Sequence, residues 1–256
     1  MSIYKIIFSP TGGTDKVADI FANVFNQEVN TIDLTDFNNN FNNIELDKDD
    51  ICIIAVPSYG GRVPDIAVKR LKMIKGNGSR AVLIAVYGNR DYEDTLLELK
   101  DTLYSSNFYS IAAVAAVAEH SVMNQIAKGR PDDNDIIELN KYAKQIKDYI
   151  ETNTISNSVA VPGNKPYKEY NGIPLKPSVN NKVCSKCGLC ARKCPVEAIS
   201  ATAPYKTDKK KCISCMRCIQ LCPANARKVN GLLLKVASMK MKKTCAAPKP
   251  NELFIH

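Results

Sequence analysis

The stretch that decides the organisation of this chain reads Cys184-Ser-Lys-Cys187-Gly-Leu-Cys190-Ala-Arg-Lys-Cys194-Pro195. A second run, Cys212-Ile-Ser-Cys215-Met-Arg-Cys218-Ile-Gln-Leu-Cys222-Pro223, repeats the four cysteines and the proline at one constant offset. Eight of the ten cysteines in the 256-residue chain therefore lie between Cys184 and Cys222. Clustered cysteines that follow a long cysteine-poor segment, with no export signal ahead of it, indicate a metal centre more than a disulfide framework.

Each run contains C-x-x-C-x-x-C, a loop tight enough to wrap one small inorganic cluster and to turn its amides toward the sulfides. A zinc ribbon is the alternative, because it pairs two C-x-x-C units. Zinc would leave the third and fourth cysteines of each run partly redundant. The full spacing, present twice with its proline, predicts two [4Fe–4S] clusters.

Residues 183–227 closely resemble the bacterial-type two-cluster ferredoxins. In that family the fourth ligand of each cluster is the Cys-Pro cysteine of the other run. The resemblance therefore implies crossed ligand sets, which are Cys184, Cys187, Cys190 and Cys222 for one cluster and Cys212, Cys215, Cys218 and Cys194 for the other. Of the two remaining cysteines, Cys52 lies in an apolar run and is expected to be a buried inert thiol. Cys245, in a Lys-rich tail, is given no role.

The first half of the chain alternates strand and helix patterns. Apolar runs without polar alternation are typical of parallel strands buried on both faces. They occur at Tyr4–Phe8, Ile51–Val56, Ala81–Tyr87 and Ile111–Val117, with a weaker strand at Glu28–Leu34. Helix-period stretches follow at about 14–25, 65–74, 91–104 and 134–149. This order predicts an α/β fold, a doubly wound five-stranded parallel sheet, over residues 1–152.

The pattern lapses after residue 152. Two proline-containing segments, 161–166 and 173–177, predict an extended linker over residues 153–180. We expect residues 181–256 to form a small α+β domain with a basic tail. The sequence pattern assigns no structure to the last stretch of that tail. No apolar run approaches the roughly 20 residues of a membrane-spanning helix. The N-terminus enters a strand pattern directly, so we expect a cytoplasmic protein that does not bind membranes.

Three loops leave the carboxyl ends of predicted strands, where open α/β sheets bind ligands. The first, Ser9-Pro-Thr-Gly-Gly-Thr14, opens a helix, so its hydroxyls and free amides make a phosphate site. A plain helix cap is the alternative. The loop is neither a Walker loop nor G-x-G-x-x-G, so a nicotinamide Rossmann site is unsupported. The other loops are Val56–Pro64 and Tyr87–Tyr92.

With these loops the sequence resembles flavodoxin over about residues 1–150. The resemblance implies bound FMN, with its phosphate held by the first loop and its ring flanked by the other two. Carried over by position, the phosphate residues are Ser9, Thr11, Gly12, Gly13 and Thr14. The ring residues are Pro57, Ser58, Tyr59, Gly60 and Gly61 on one side, and Tyr87, Gly88, Asn89 and Tyr92 on the other. The alternative for Tyr59 and Tyr92 is loop packing. No second nucleotide fingerprint is present for the adenylate half of FAD.

The whole layout resembles the ferrodoxin-type family of flavodoxin–ferredoxin fusions. The resemblance implies an electron-transfer protein that moves electrons between FMN and two clusters and links ferredoxin-type one-electron carriers to a flavin. The alternative is a flavin-dependent reductase that acts on a small molecule, with the clusters as an internal relay. No catalytic constellation stands out; His120 is expected to have a structural or capping role, and His256 is the terminus.

The charge is divided between the two halves. Residues 1–152 hold 16 basic and 22 acidic side chains, a net charge of −6, and residues 153–256 hold 19 and 4, a net charge of +15. The lysines are spread without stacking aromatics, so we expect no nucleic acid. We expect redox partners, namely acidic ferredoxin- or flavodoxin-like carriers, at the basic half. The alternative is that this charge offsets the clusters or clamps the acidic half. The basic residues in or between the runs are Lys186, Arg192, Lys193, Lys209, Lys210, Lys211 and Arg217.

Overall fold

The computed structural model describes residues 1–152 and 158–255, and its N-terminal part alternates strands and helices. The elements are β1 (Ile3–Ile7), α1 (Gly13–Asn23), β2 (Val29–Asp33), β3 (Ile51–Pro57), α2 (Asp65–Leu71), β4 (Arg80–Tyr87), α3 (Thr95–Ser105), β5 (Tyr109–Val117) and α4 (Asp133–Thr152). A short 3-10 helix, Phe41–Asn43, lies in the Asn-rich segment between β2 and β3.

These strands are parallel and lie in the order β2-β1-β3-β4-β5. This is the flavodoxin-like order of doubly wound sheets, whose direction of winding reverses between β1 and β3. Helices α1 and α4 cover one face of the sheet, and α2 and α3 cover the other. The predicted doubly wound parallel sheet is therefore confirmed.

The three strands β3, β4 and β5 are buried along almost their whole length. Successive side chains of a strand point to opposite faces, and helices cover both faces here, so every position must be apolar. This explains why the apolar runs were visible in the sequence. Strand β2 lies at the sheet edge and is half exposed, which explains its weaker signal.

A sixth strand corrects the predicted five-stranded sheet. The end of the chain returns to the first domain, and β8 (Glu252–Phe254) pairs antiparallel with β5. Asn251, immediately before it, is buried and accepts a hydrogen bond from the Val117 N–H at 2.9 Å. Since β8 covers the open edge of β5, the last residues of the predicted small domain belong to the large sheet.

The linker lies against the first domain over the part that the structure describes. Residues 153–157 of the predicted linker lie outside the described residues. Beyond them, the Val159 N–H donates to the Ser110 carbonyl at 2.9 Å, so the chain leaves along β5. Farther on, the Asp94 carboxylate accepts the backbone N–H groups of Asn164 and Lys168 at 2.8 and 2.6 Å. The described part of the predicted linker is therefore docked on the sheet domain.

The small domain is built around the two cysteine runs. Short strands β6 (Ser178–Val179) and β7 (Arg227–Lys228) pair antiparallel, and helices α5 (Leu189–Arg192) and α6 (Arg217–Gln220) lie in the runs themselves. A longer helix, α7 (Gly231–Lys242), follows β7 and leads to the tail. Among the described helices, none is long and apolar enough to cross a membrane. His256 lies outside the described residues.

Candidate functional site

The two cysteine runs share one backbone shape. Residues with positive φ come in three pairs, whose members occupy equivalent positions of the two runs: Lys186 and Ser214, Gly188 and Met216, and Glu197 and Asn225. In each run such residues precede and follow the second cysteine. Backbone of this kind turns successive N–H groups toward one side, which is how a loop presents donors to an anionic group.

The second run and the Cys-Pro cysteine of the first run meet around one small apolar cavity. Its lining includes Cys194, Cys212, Cys215 and Cys218. Burial, together with the neighbouring thiols, raises the pKa of Cys215 and of Cys218 to about 12. Thiolates in this setting need cations beside them, and the irons of a cluster are such cations. The donor set therefore fits an iron–sulfur cluster.

The cysteines of the first run are more open to solvent. Cys187 is exposed, and its pKa is lowered by hydrogen bonds from the Leu189 backbone N–H and the Ser185 hydroxyl. The Cys-Pro cysteines have matching surroundings, because the Ala226 N–H lies 3.3 Å from Cys222 Sγ and the Ala198 N–H lies 3.3 Å from Cys194 Sγ.

Over residues 1–152 and 158–255, no three His, Cys, Asp or Glu side chains lie close enough together to hold a single metal ion. The ligands of a four-iron cluster bind four different irons, so they surround a volume and do not converge on one point.

The loop after β1 ends as a helix N-terminus with free donors. Gly12 has φ of 89° and immediately precedes α1, and a Cβ there would meet nothing within 4 Å. Ser9 Oγ accepts the Asp15 N–H at 2.9 Å, so this hydroxyl contacts the first turn of α1. Since the first N–H groups of a helix have no intrahelical partners, the turn at Thr14 fits an anion such as phosphate.

All three loops converge on a cavity of about 110 Å³, which we call the flavin cavity after the ligand that the resemblance to flavodoxin predicts there. Of the residues predicted to contact FMN, its lining includes Thr11, Gly13, Thr14, Pro57, Ser58, Tyr59, Gly60, Tyr87 and Gly88. A second cavity of about 570 Å³ adjoins it and shares Thr11 and Gly13 with it. The loop after β1 therefore lines both cavities.

Five of the predicted contacts lie outside this lining. Ser9 and Gly12 belong to the loop after β1 but do not line the cavity. Gly61 lies against Glu93, whose Oε2 would be 1.8 Å from an added Cβ. The Asn89 amide is turned to the tail, where it donates to the carbonyls of Cys245 and Ala247 and accepts the Lys249 N–H.

The fifth of these contacts, Tyr92, donates its hydroxyl to Glu252 of β8 and packs edge-on against Tyr87. Tyr92 and Asn89 therefore contact the tail, whereas the resemblance to flavodoxin places them beside the flavin ring.

Tyr59 lies between the flavin cavity and the second cysteine set. Its ring is buried, and burial together with the nearby Cys215 and Cys212 raises the pKa of its hydroxyl. Ser214, the residue before Cys215, lines the flavin cavity directly. One residue of the second run therefore separates the two candidate cofactor sites.

Two arginines join the domains beside these sites. Arg217 of α6 donates to the carbonyls of Ser9 and Pro10 at 3.2 and 3.4 Å. Arg70 of α2 is buried and donates to the Pro195 carbonyl at 2.8 Å, next to Cys194. Because Arg217 is held in this way, it is not free for docking a partner, unlike the exposed Lys209–Lys211 segment.

His120 also lines the flavin cavity, and sequence reasoning assigned it no ligand contact. Its Nδ1 accepts the backbone N–H groups of Val122 and Met123, both at 3.2 Å, which agrees with the expected structural role. Burial lowers the pKa of the imidazole, so it is held neutral. Its ring approaches the Gly88 backbone so closely that an added Cβ would lie 2.7 Å from Cδ2. The cavity also contains Met241 of α7, for which the sequence carried no signal.

Comparisons with known proteins agree with this division. Residues 183–226 match the family model described as a 4Fe-4S dicluster domain. A search of the curated proteins found no match.

Among solved structures, a flavodoxin from Streptococcus pneumoniae TIGR4 is 21% identical with a TM-score of 0.40, over 57% of this chain and 99% of its own. An NADH:FMN oxidoreductase is 18% identical with a TM-score of 0.43, over 60% and 91%. The Fusobacterium nucleatum flavodoxin bound to flavin mononucleotide is 12% identical with a TM-score of 0.35, over 57% and 96%.

These structural similarities are low, and the strand order β2-β1-β3-β4-β5 assigns the fold without them. The dicluster match covers the two cysteine runs, which follow that sheet domain in the same polypeptide. The chain thus joins a domain whose strand order is that of flavodoxin to a segment, residues 183–226, that matches the 4Fe-4S dicluster domain.

Proposed function

We propose that this protein transfers electrons between bound FMN and two [4Fe–4S] clusters, and thereby links one-electron carriers to a flavin. The observation that carries the proposal is the contact between the two candidate sites. Ser214 lines the flavin cavity, and Cys215 beside it lines the cysteine cavity. Electron tunnelling falls off exponentially with distance, so sites that share a loop favour transfer between them.

Bound FMN takes one or two electrons, whereas each cluster takes one. The residues of the chain bind and orient these groups. In this proposal the N-terminus of α1 and the hydroxyls of Thr11 and Thr14 hold the phosphate, and Tyr59 and Tyr87 flank the ring. The buried Tyr59 also excludes water between flavin and cluster, which keeps the intervening medium dry.

The ligand sets in this proposal are the crossed ones. Cys184, Cys187, Cys190 and Cys222 hold one cluster, and Cys194, Cys212, Cys215 and Cys218 hold the other. The cavity shared by Cys194 and the second run supports the second of these sets. We assign the exposed Lys209–Lys211 segment to electrostatic steering, which speeds the encounter with an acidic carrier.

Anaerobic purification with cofactor analysis tests the proposal. We expect about eight irons and eight acid-labile sulfides per chain, as two four-iron clusters require. The extracted flavin should be FMN, because no second site for an adenylate half is recognisable. Two zinc ions without sulfide, FAD as the bound flavin, or no flavin after reconstitution would contradict the proposal.

Transfer itself is tested by reducing the flavin with a light pulse and following bleaching of the cluster absorbance. Tyr59→Ala should slow this step, whereas Tyr104→Ala, an exposed tyrosine on α3, should leave it unchanged. Screening for substrate-dependent reoxidation separates this function from a small-molecule reductase. Transfer that is equally fast in the wild type and in Tyr59→Ala would place the electron path elsewhere.

A further inference from the structure

Helix α7 has an apolar face that nothing in the described chain covers. Leu232, Leu233, Val236 and Met239 are 73%, 54%, 40% and 60% exposed. None of the residues of α7 is fully buried. These four account for four of the eleven large apolar side chains that are exposed in the described residues. Exposed apolar side chains scattered singly are ordinary, but a group of them on one helix face marks an interaction surface.

The opposite face of α7 already has its partners. Leu234 and Ala237 pack on a small cluster formed by Val122, Leu175 and Met216, and Met241 lines the flavin cavity. A helix that is apolar on both faces is normally covered on both. The inner face of α7 is therefore covered by the rest of the chain, whereas the outer face is left exposed.

The charge around α7 restricts that partner to an anionic one. Residues 229–251 contain five lysines and no acidic residue. Lys235, Lys240, Lys242 and Lys243 are all exposed, so their charges border the apolar face. At about 100° per residue, Lys240 lies between Leu233 and Val236 around the helix.

We propose that the outer face of α7 is a docking site for an acidic one-electron carrier protein, which binds over the flavin cavity on the side of α7 that faces away from Met216. This inference rests on the proposed electron-transfer function. An apolar centre with a charged rim is the usual anatomy of a protein interface. Lys240 within the apolar face opposes insertion among lipid chains, which favours a protein over a membrane. One helix, about 10 Å across, separates the docked carrier from the flavin cavity.

The test measures the affinity of the cofactor-loaded protein for a purified acidic two-cluster ferredoxin by anaerobic calorimetry. The double variant Leu232→Glu with Val236→Glu should weaken binding at least tenfold, with iron and flavin content unchanged. Both side chains face solvent, so the fold should tolerate the change. Tyr104→Glu, which places the same charge on an 81% exposed apolar site of α3, should bind within twofold of wild type.

An equal dissociation constant for the wild type and the double variant, or no binding by wild type, would overturn the inference. The inference would also be overturned if the double variant binds ferredoxin normally but, unlike the wild type, does not sediment with phosphatidylserine vesicles. That result would assign the outer face of α7 to membrane binding. If the double variant binds ferredoxin normally but loses a dimer that light scattering detects in the wild type, the outer face of α7 is the interface with a second copy of the chain. The proposed function is judged separately, by the iron, sulfide and flavin content of the wild type.

Discussion

Replacing Asn251 with Ala should destabilise the protein, because this side chain fastens the tail to the sheet domain. Asn251 is 3% exposed. Its Oδ1 accepts the Val117 N–H at 2.9 Å, and its Nδ2 donates to Asp135 at 3.0 Å and to Glu138 at 2.7 Å. The substitution removes all three hydrogen bonds and leaves the Val117 N–H buried without its partner.

The expected loss follows from these contacts. A net contribution of about 1 kcal/mol per hydrogen bond gives a loss of roughly 3 kcal/mol in the free energy of unfolding. Asp135 keeps Arg130 and Glu138 keeps the Tyr142 hydroxyl, so neither carboxylate is left alone. For a chain of this size the midpoint of thermal unfolding should fall by roughly 6–12 °C.

Urea unfolding followed by far-ultraviolet circular dichroism measures this difference. Asn140→Ala is the matched control, because Asn140 is only partly buried and makes one exposed hydrogen bond to its own helix. Asn251→Ala should also make the tail more susceptible to limited proteolysis, since the residue before β8 then loses its side-chain hydrogen bonds to the sheet domain. A difference of less than about 0.5 kcal/mol between the two variants would refute the assignment of Asn251 as the anchor of the tail.

Three further predictions concern the sites. Cys194→Ala should remove the cluster held by the second run and spare the other more, as seen by iron content and electron paramagnetic resonance; selective loss of the first-run cluster would refute the crossing. The pKa of His120 is lowered by burial, so the unfolded chain takes up its proton first, and stability should fall as the pH drops below about 6.5. His120→Asn keeps an acceptor at the δ position and should flatten that slope between about pH 5 and 6.5, whereas an unchanged slope would point to another group. Reversing Lys209, Lys210 and Lys211 to Glu should slow stopped-flow reduction by an acidic ferredoxin without loss of iron, most strongly at low salt, where screening is weakest; a rate indifferent to salt and to charge reversal would leave no role for them in docking.

The parallel sheet and the doubled cysteine motif were readable in the sequence because local rules determine them. Strands covered on both faces must be apolar throughout, so Ile51–Val56 shows as an uninterrupted run. The cysteine spacing belongs to a single tight loop, and its repetition in the second run reappears in the backbone as paired positive φ values. Neither feature depends on contacts with distant parts of the chain.

The sixth strand was not readable, because so short a strand shows no period. Strand β8 forms because Asn251 and Glu252 find Val117 and Tyr92, partners that lie far away in the chain. The same tail takes the Asn89 amide out of the flavin cavity. Position in a loop therefore predicted which loops surround the cavity and most of the residues that line it, but not that Asn89 and Tyr92 contact the tail.

The sequence by itself indicated two kinds of chemistry, a turn after β1 that is predicted to bind phosphate and two sets of thiols. Only the tertiary structure decided that they lie side by side. Tyr59 and Ser214 belong to different domains, and they line one cavity because Arg217 and Arg70 hold the small domain against the loops of the sheet. Contacts between backbone carbonyls and distant arginines leave no periodic trace, because a carbonyl is present at every residue.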